Sequence, residues 1–306
     1  METSINPNVT LNNGNPMPLV GLGTYKLENI VESVKNAIKL GYRLIDTAKL
    51  YQNEVQIGEA INDCIKEGII KREELFLTTK LWQDDHEDPI SALKESLTRL
   101  KLDYVDLFII HWPLPHVDTQ NNIMKKVPLH KLWASMEQCV NQGLARSIGV
   151  SNFNVQLLFD LLSYAVIKPA CNQIELHPLL SQFDLVEFCQ NNCIAVTAYN
   201  PILRGGYAMR NKELFEKFDL FENNIILELA KRYGKTPAQI ILNWHLSRGV
   251  AVIPKSGNIK RQGENLRSLE FRMSKEDYEK VNGLDMNMRF NCTKEKGFTG
   301  GVNIFA

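Results

Sequence analysis

Residues 145–175 read ARSIGVSNFNVQLLFDLLSYAVIKPACNQIE. Ala145–Val150 is a run of strand length, with Ile148 and Val150 alternating, and Val155–Ser163 carries apolar residues at helical spacing. Ala170–Ile174 then returns to a strand pattern. Two strands joined through a helix pair in parallel. Both strands run into polar residues, Ser151-Asn152 after the first and Gln173 and Glu175 in the second.

The unit recurs in both directions. Further strands are expected at Leu19–Leu22, Arg43–Ile45, Leu75–Thr79, Val105–Ile110, Ala195–Ala198 and Val250–Ile253. Helical stretches fall between them, at Val31–Leu40, Glu54–Glu67, Pro89–Leu100, Leu129–Gln142, Phe183–Asn191 and Asn224–Tyr233. Thr236-Pro237-Ala238-Gln239 reads as an N-cap, a first-position proline and a capping-box glutamine; a later helix starts at Ser274. Eight strands alternating with helices predict an α/β fold, a (β/α)8 TIM barrel with its long loops at the C-terminal face. Val9–Leu19 differs: Asn13-Gly14 signals a β-hairpin, placed to close the barrel bottom. With no linker, repeat or low-complexity tract, residues 1–306 are expected to form one domain.

Composition narrows the function classes. The 35 basic and 35 acidic residues cancel, which leaves no global field for nucleic acid or anionic lipid. Apolar runs have strand length, too short to span a bilayer, and Met1–Thr10 lacks a signal-peptide core. The six cysteines show no Cys-x-x-Cys, and no metal site is expected. A cytoplasmic protein with reduced thiols follows; composition does not set the oligomeric state, for which a monomer is the default expectation and a dimer the alternative.

In such a barrel, chemistry sits where strands end. Here those ends carry Asp46 (with Tyr51 five residues on), Lys80, His111, Ser151-Asn152, Gln173, Tyr199 and Lys255-Ser256. A phenol is too weak an acid for fast proton transfer at neutral pH unless an ammonium stabilises its anion. A carboxylate can hold that ammonium, and a neutral histidine can orient a carbonyl oxygen. The set suits protonation of a carbonyl oxygen while hydride, which no side chain supplies, arrives at carbon. His86, His116, His130 and His245 show no ligand spacing, and Glu175 and His177 read as structural.

At these residues the chain closely resembles the aldo-keto reductases, including aldose and aldehyde reductases. The resemblance rests on Gly21-Leu22-Gly23-Thr24, Ile45-Asp46-Thr47-Ala48, Tyr51-Gln52-Asn53-Glu54, Thr79-Lys80-Leu81-Trp82 and Ile110-His111-Trp112-Pro113. It continues through Gly149-Val150-Ser151-Asn152-Phe153, Asn172-Gln173-Ile174-Glu175-Leu176-His177-Pro178, Gly234–Gln239 and Ile253-Pro254-Lys255-Ser256, then Arg261 and Glu264-Asn265. It implies Tyr51 as general acid, Lys80 as its partner, Asp46 as anchor and His111 as carbonyl orienter. It further implies that Ser151, Asn152 and Gln173 bind the nicotinamide carboxamide, that Tyr199 stacks on its ring, and that Thr24 and Asp46 flank the ribose. Lys255, Ser256 and Arg261 would grip a 2′-phosphate and Glu264 and Asn265 the adenine, which favours NADPH/NADP+. Tyr25, Trp82 and Trp112 would line the pocket for a small carbonyl substrate, with Leu114–Leu129 and Met286–Ala306 as further walls.

The implied activity is NADPH-dependent reduction of aldehydes, ketones or open-chain sugars to alcohols. The alternatives are a cofactor-binding regulatory or structural protein on this fold, and a barrel enzyme that uses the phosphate site without redox work. One departure stands out: the family's Tyr-Ser-Pro-Leu-Gly turn reads Tyr199-Asn200-Pro201-Ile202-Leu203 here. That puts the grip of this turn on the cofactor in question.

Overall fold

Asn13 and Gly14 form the expected turn. Strands β1 (Asn8–Thr10) and β2 (Pro16–Pro18) pair antiparallel around it, and Gly14 takes a left-handed φ of 87°. Asn12 and Asn13 donate to the carbonyls of Pro169 (3.0 Å) and Arg146 (3.1 Å), at the entrances of two barrel strands. Leu11 and Met17 are buried, so the hairpin covers the barrel bottom with apolar side chains. The computed structural model describes residues 4–114, 116–118, 123–125, 127–204, 218–291 and 304–305.

Eight parallel strands follow in the order β3 (Leu22–Gly23), β4 (Leu44–Asp46), β5 (Phe76–Leu81), β6 (Val105–Ile110), β9 (Ala145–Ser151), β10 (Cys171–Glu175), β11 (Ala195–Tyr199) and β12 (Ala251–Val252). The expected strand Leu19–Leu22 is split between two neighbours. Leu22 and Gly23 pair with Ile45 and Asp46 of β4, while Val20 bridges Val252 in parallel. Gly21 N–H donates to Val252 O, and Val252 N–H to Leu19 O, both at 2.8 Å, which closes the barrel. Gly23 is required at this seam, because a Cβ there would lie 2.4 Å from the Ile253 carbonyl oxygen.

Outside the barrel pack α1 (Ile30–Leu40), α2 (Glu54–Lys66), α3 (Pro89–Leu100), α4 (Leu129–Asn141), α5 (Val155–Tyr164), α6 (Phe183–Asn191), α7 (Asn224–Tyr233), α8 (Pro237–Ser247), α9 (Ile259–Leu266) and α10 (Lys275–Asn282). The Thr236 cap is as the sequence predicts: its hydroxyl accepts from Gln239 N–H, and Gln239 Oε1 accepts from Thr236 N–H. Gly41 ends α1 at φ 105°. Two elements lie outside the sequence expectations. One is α9, capped by Asn258. The other is a hairpin of β7 (His116–Asp118) and β8 (Ile123–Lys125), inside a stretch with no readable periodicity. Of the expected substrate walls, residues 115, 119–122, 126, 292–303 and 306 lie outside the described residues. Among the described residues, no helix is long and apolar enough to cross a membrane.

Candidate active site

The Lys80 side chain is wholly buried near the end of β5. Its ammonium has three protons and three acceptors: Asp46 Oδ1 at 2.5 Å, Thr47 O at 2.8 Å and Tyr51 Oη at 3.2 Å. Asp46 ends β4, and its second oxygen accepts from Gln173 Nε2 at 2.7 Å. Burial lowers the Lys80 pKa from its ordinary value, while the charges of Asp46 and Glu54 pull the other way.

Tyr51 reaches this position through a tight turn. After β4 the chain makes one turn of 3-10 helix, Lys49–Tyr51, which folds the phenol back over the barrel mouth. Asn53 pins the turn: Thr47 Oγ1 donates to its Oδ1 (2.7 Å), and its Nδ2 donates to Thr24 O (3.0 Å). Glu54, at the start of α2, is buried behind Lys80 and accepts from Thr79 Oγ1 and Arg99 Nε, each at 2.7 Å.

His111 follows β6 and is 8% exposed. Its ring stands edge-on to Tyr51 (centroids 5.8 Å apart) and to Trp82 (5.2 Å). Tyr25 packs on Tyr51 at 5.0 Å. Ser151 and Asn152 leave β9 beside it, Asn152 in the left-handed region at φ 65°. That conformation lets Asn152 Nδ2 donate to His111 O at 2.8 Å. Ser151 Oγ donates to Gln173 O at 2.7 Å. Tyr199 ends β11 and donates its hydroxyl to Asn152 Oδ1 at 2.8 Å.

One cleft of about 940 Å³ is lined by Thr24, Tyr25, Asp46, Tyr51, Trp82, His111, Trp112, Ser151, Asn152, Gln173, Tyr199 and Lys255. Twelve residues singled out in the sequence thus meet at one opening, with Lys80 beneath. The others continue from Lys255. Ser256 is buried after β12, and Arg261, Glu264 and Asn265 lie on α9 at spacings that share a face. Lys260 and Arg261 stand in the first turn of that helix, both exposed, where its dipole is positive. These residues could hold a long ligand with an amide head and a phosphorylated end: polar side chains beside the tetrad of Asp46, Tyr51, Lys80 and His111, then a shelf leading to basic side chains. Among the described residues, no group of three or more His, Cys, Asp or Glu could hold a metal ion.

The turn after β11 carries the departure. Asn200 and Leu203 both take φ 53°, and Leu203 stands where the family turn has glycine. Asparagine tolerates that region; a leucine there is strained, and its side chain is buried. His245 of α8 supports the turn, its Nε2 donating to Pro201 O at 3.0 Å. Burial pushes its pKa down to about 3, so the ring is neutral. Nothing in the sequence marks His245 for this role, nor Asn291, whose Nδ2 donates to Tyr199 Oη at 2.7 Å. No local motif marks either, since each acts across a long loop. Gly205 and Gly206 lie outside the described residues.

The Aldo/keto reductase family profile matches residues 15–286. An NADP-dependent D-sorbitol-6-phosphate dehydrogenase of Malus domestica is 40% identical, over 97% of this chain and 99% of its own length. An NAD(P)H-dependent D-xylose reductase I,II of Candida tropicalis is 42% identical, over 93% and 94%. An NADH-dependent D-xylose reductase of Candida parapsilosis is also 42% identical, over 93% and 94%. With the barrel, the strand-end residues and the profile in agreement, the chain belongs to the aldo/keto reductase family.

Proposed function

We propose that the protein reduces aldehydes and open-chain sugars to alcohols, with NADPH as the preferred cofactor and Tyr51 as the general acid. The observation that carries this reading is the Tyr51 phenol, 3.2 Å from an ammonium that Asp46 holds at 2.5 Å, at the floor of the cleft. The bound nicotinamide supplies hydride to the carbonyl carbon. The residues of the chain do the rest. His111 donates to the carbonyl oxygen and orients it, and Tyr51 gives that oxygen its proton. Lys80 stabilises the phenolate left behind, and Asp46 keeps Lys80 in place. Ser151, Asn152 and Gln173 would hold the carboxamide, and Tyr199 would cover one face of the ring. Tyr25, Trp82 and Trp112 exclude water around the substrate.

Preference for NADPH rests on Lys255, Lys260 and Arg261, three cations around the start of α9 that would neutralise an added phosphate. The NADH-dependent relative makes this a point to measure, by comparing kcat/KM for the two cofactors. A complete tetrad argues against a purely regulatory protein, which would not need one. Free thiols at the five described cysteines suit a reducing compartment such as the cytosol. Tyr51→Phe tests the assignment: turnover should fall about 10³-fold while NADPH binding persists. Retained turnover in folded Tyr51→Phe would sink it.

A further inference from the structure

Glu175 ends β10 two residues beyond Gln173 and is fully buried. Both of its carboxylate oxygens hold the segment that follows α10. Phe290 N–H donates to Oε1 at 3.0 Å and Asn291 N–H to Oε2 at 2.9 Å. Burial alone would raise its pKa. The hydrogen bond from His177, the charge of Arg289 and the Asn291 N–H outweigh burial and keep it below the ordinary value. The segment is fastened further up as well. Met286 and Met288 N–H both donate to Leu179 O, at 3.3 and 2.8 Å, and Ser181 N–H donates to Asp285 Oδ1.

The stitched segment delivers one side chain to the cleft. Asn291 is 4% exposed, and its Nδ2 donates to Tyr199 Oη at 2.7 Å. The same hydroxyl donates to Asn152 Oδ1 at 2.8 Å. The phenol oxygen lies on the long axis of the ring, so two partners on it fix the direction of that axis and restrict the swing about χ1. A ring held in advance loses little freedom when a planar ligand is laid on it.

We propose that Glu175 and Asn291 are positioning residues that orient Tyr199, coupling the docking of the tail to affinity for the nicotinamide end of the cofactor. The proposal rests on the reading that Tyr199 stacks on that ring. Neither residue needs to touch the reacting atoms. Glu175 acts through the backbone of Asn291, Asn291 through the Tyr199 hydroxyl, and the hydroxyl through the ring.

The test is a double-mutant cycle on NADPH affinity, read by cofactor titration without substrate. Tyr199→Phe and Asn291→Ala should each weaken binding about fivefold, the scale of one lost hydrogen bond. The double variant should bind no worse than Tyr199→Phe, and Glu175→Gln should likewise add nothing in that background. Affinity for 2′,5′-ADP, which lacks the nicotinamide, should be unchanged in every variant. Multiplicative losses in the cycle, unchanged NADPH affinity in Asn291→Ala, or a parallel loss for 2′,5′-ADP would each overturn the proposal. Should Glu175→Gln unfold, the Tyr199–Asn291 cycle decides alone. Tyr199→Ala separates the two levels. If it leaves NADPH affinity intact, the stacking reading fails, and the proposal with it. If it weakens binding while the cycle is multiplicative, only the coupling fails.

Discussion

The two walls of the cleft are held by opposite means. On the β4–β6 side, Asp46, Lys80 and Tyr51 bind one another, and the turn that presents Tyr51 is pinned by Asn53, two residues on. On the β11 side, Tyr199 and the turn after it borrow their supports. Pro201 is held by His245 of α8, and Tyr199 by Asn291 from beyond α10. Each wall also carries a non-glycine residue in the left-handed region, Gln52 at φ 55° beside Tyr51 and the buried Leu203 at φ 53°. The reacting groups are thus held by one another and by strands of the barrel, the cofactor wall by elements outside the sheet. The chemical step and cofactor retention should therefore be separable by mutation.

The strongest attempt to break that separation is Lys80→Met. Loss of the ammonium should cut kcat/KM roughly 10³-fold through the chemical step. NADPH affinity should stay within about threefold, because Lys80 sits beneath the cleft rather than in it. A parallel collapse of affinity would show that the two walls are one unit.

His245→Phe probes the other wall. It removes the donor from Pro201 O, and an unsatisfied buried carbonyl costs about 1–3 kcal/mol. Stopped-flow measurement should find cofactor release about tenfold faster, while single-turnover hydride transfer is little changed. A slowed chemical step with unchanged release would reverse the comparison.

Acid should destabilise both sides of the molecule, through His86 after β5 and His245 behind the β11 turn. Burial lowers His245 to about 3 and His86 to about 4, from an ordinary 6.5. Their folded pKa values lie below the unfolded ones, so between pH 6.5 and those values the unfolded chain binds protons that the native chain refuses. Stability therefore falls as pH drops through that window, by about 1.4 kcal/mol per unit for each histidine. Denaturant midpoints should show the slope, and it should flatten in His245→Phe.

Asp277 is the control, since it lines neither wall of the cleft. Burial alone would raise its pKa, but hydrogen bonds from Tyr233, Arg232, Lys280 and Ser274 bring it down to about 2. Its contribution is present above about pH 4 and lost as pH falls through 2. Asp277→Asn should cost about 1 kcal/mol at pH 7, a cost that fades as pH falls through 2, and leave both kinetic signatures untouched.

The same division decides what the sequence makes legible. Asp46, Lys80, His111 and Gln173 can be read because each ends or lies in a strand with its own apolar pattern. Helix starts at Thr236 and Ser274 are legible because caps are local hydrogen bonds. The seam blurs the first strand, since Leu19–Gly21 bonds β12 and Leu22–Gly23 bonds β4. Helix α9 is polar and short, and its cap residue Asn258 has no apolar run behind it to announce it. Glu175 with Asn291, and His245 with Pro201, are contacts across 116 and 44 residues. Only the packed barrel brings such pairs together.

The seam itself has a consequence for synthesis. Val20 meets Val252, so the first barrel strand must wait for the last. Gly23 and Thr24 on one side and Lys255 on the other both line the cleft. A nascent chain can assemble successive β–α–β units as they emerge, with Asp46, Lys80 and His111 already neighbours. It has no shelf for a dinucleotide until the ends join. During refolding, burial of Trp133, which bonds Ile167 O within the earlier units, should therefore precede the ability to quench with NADPH. Once bound, the cofactor would clasp the oldest and youngest parts of the chain together.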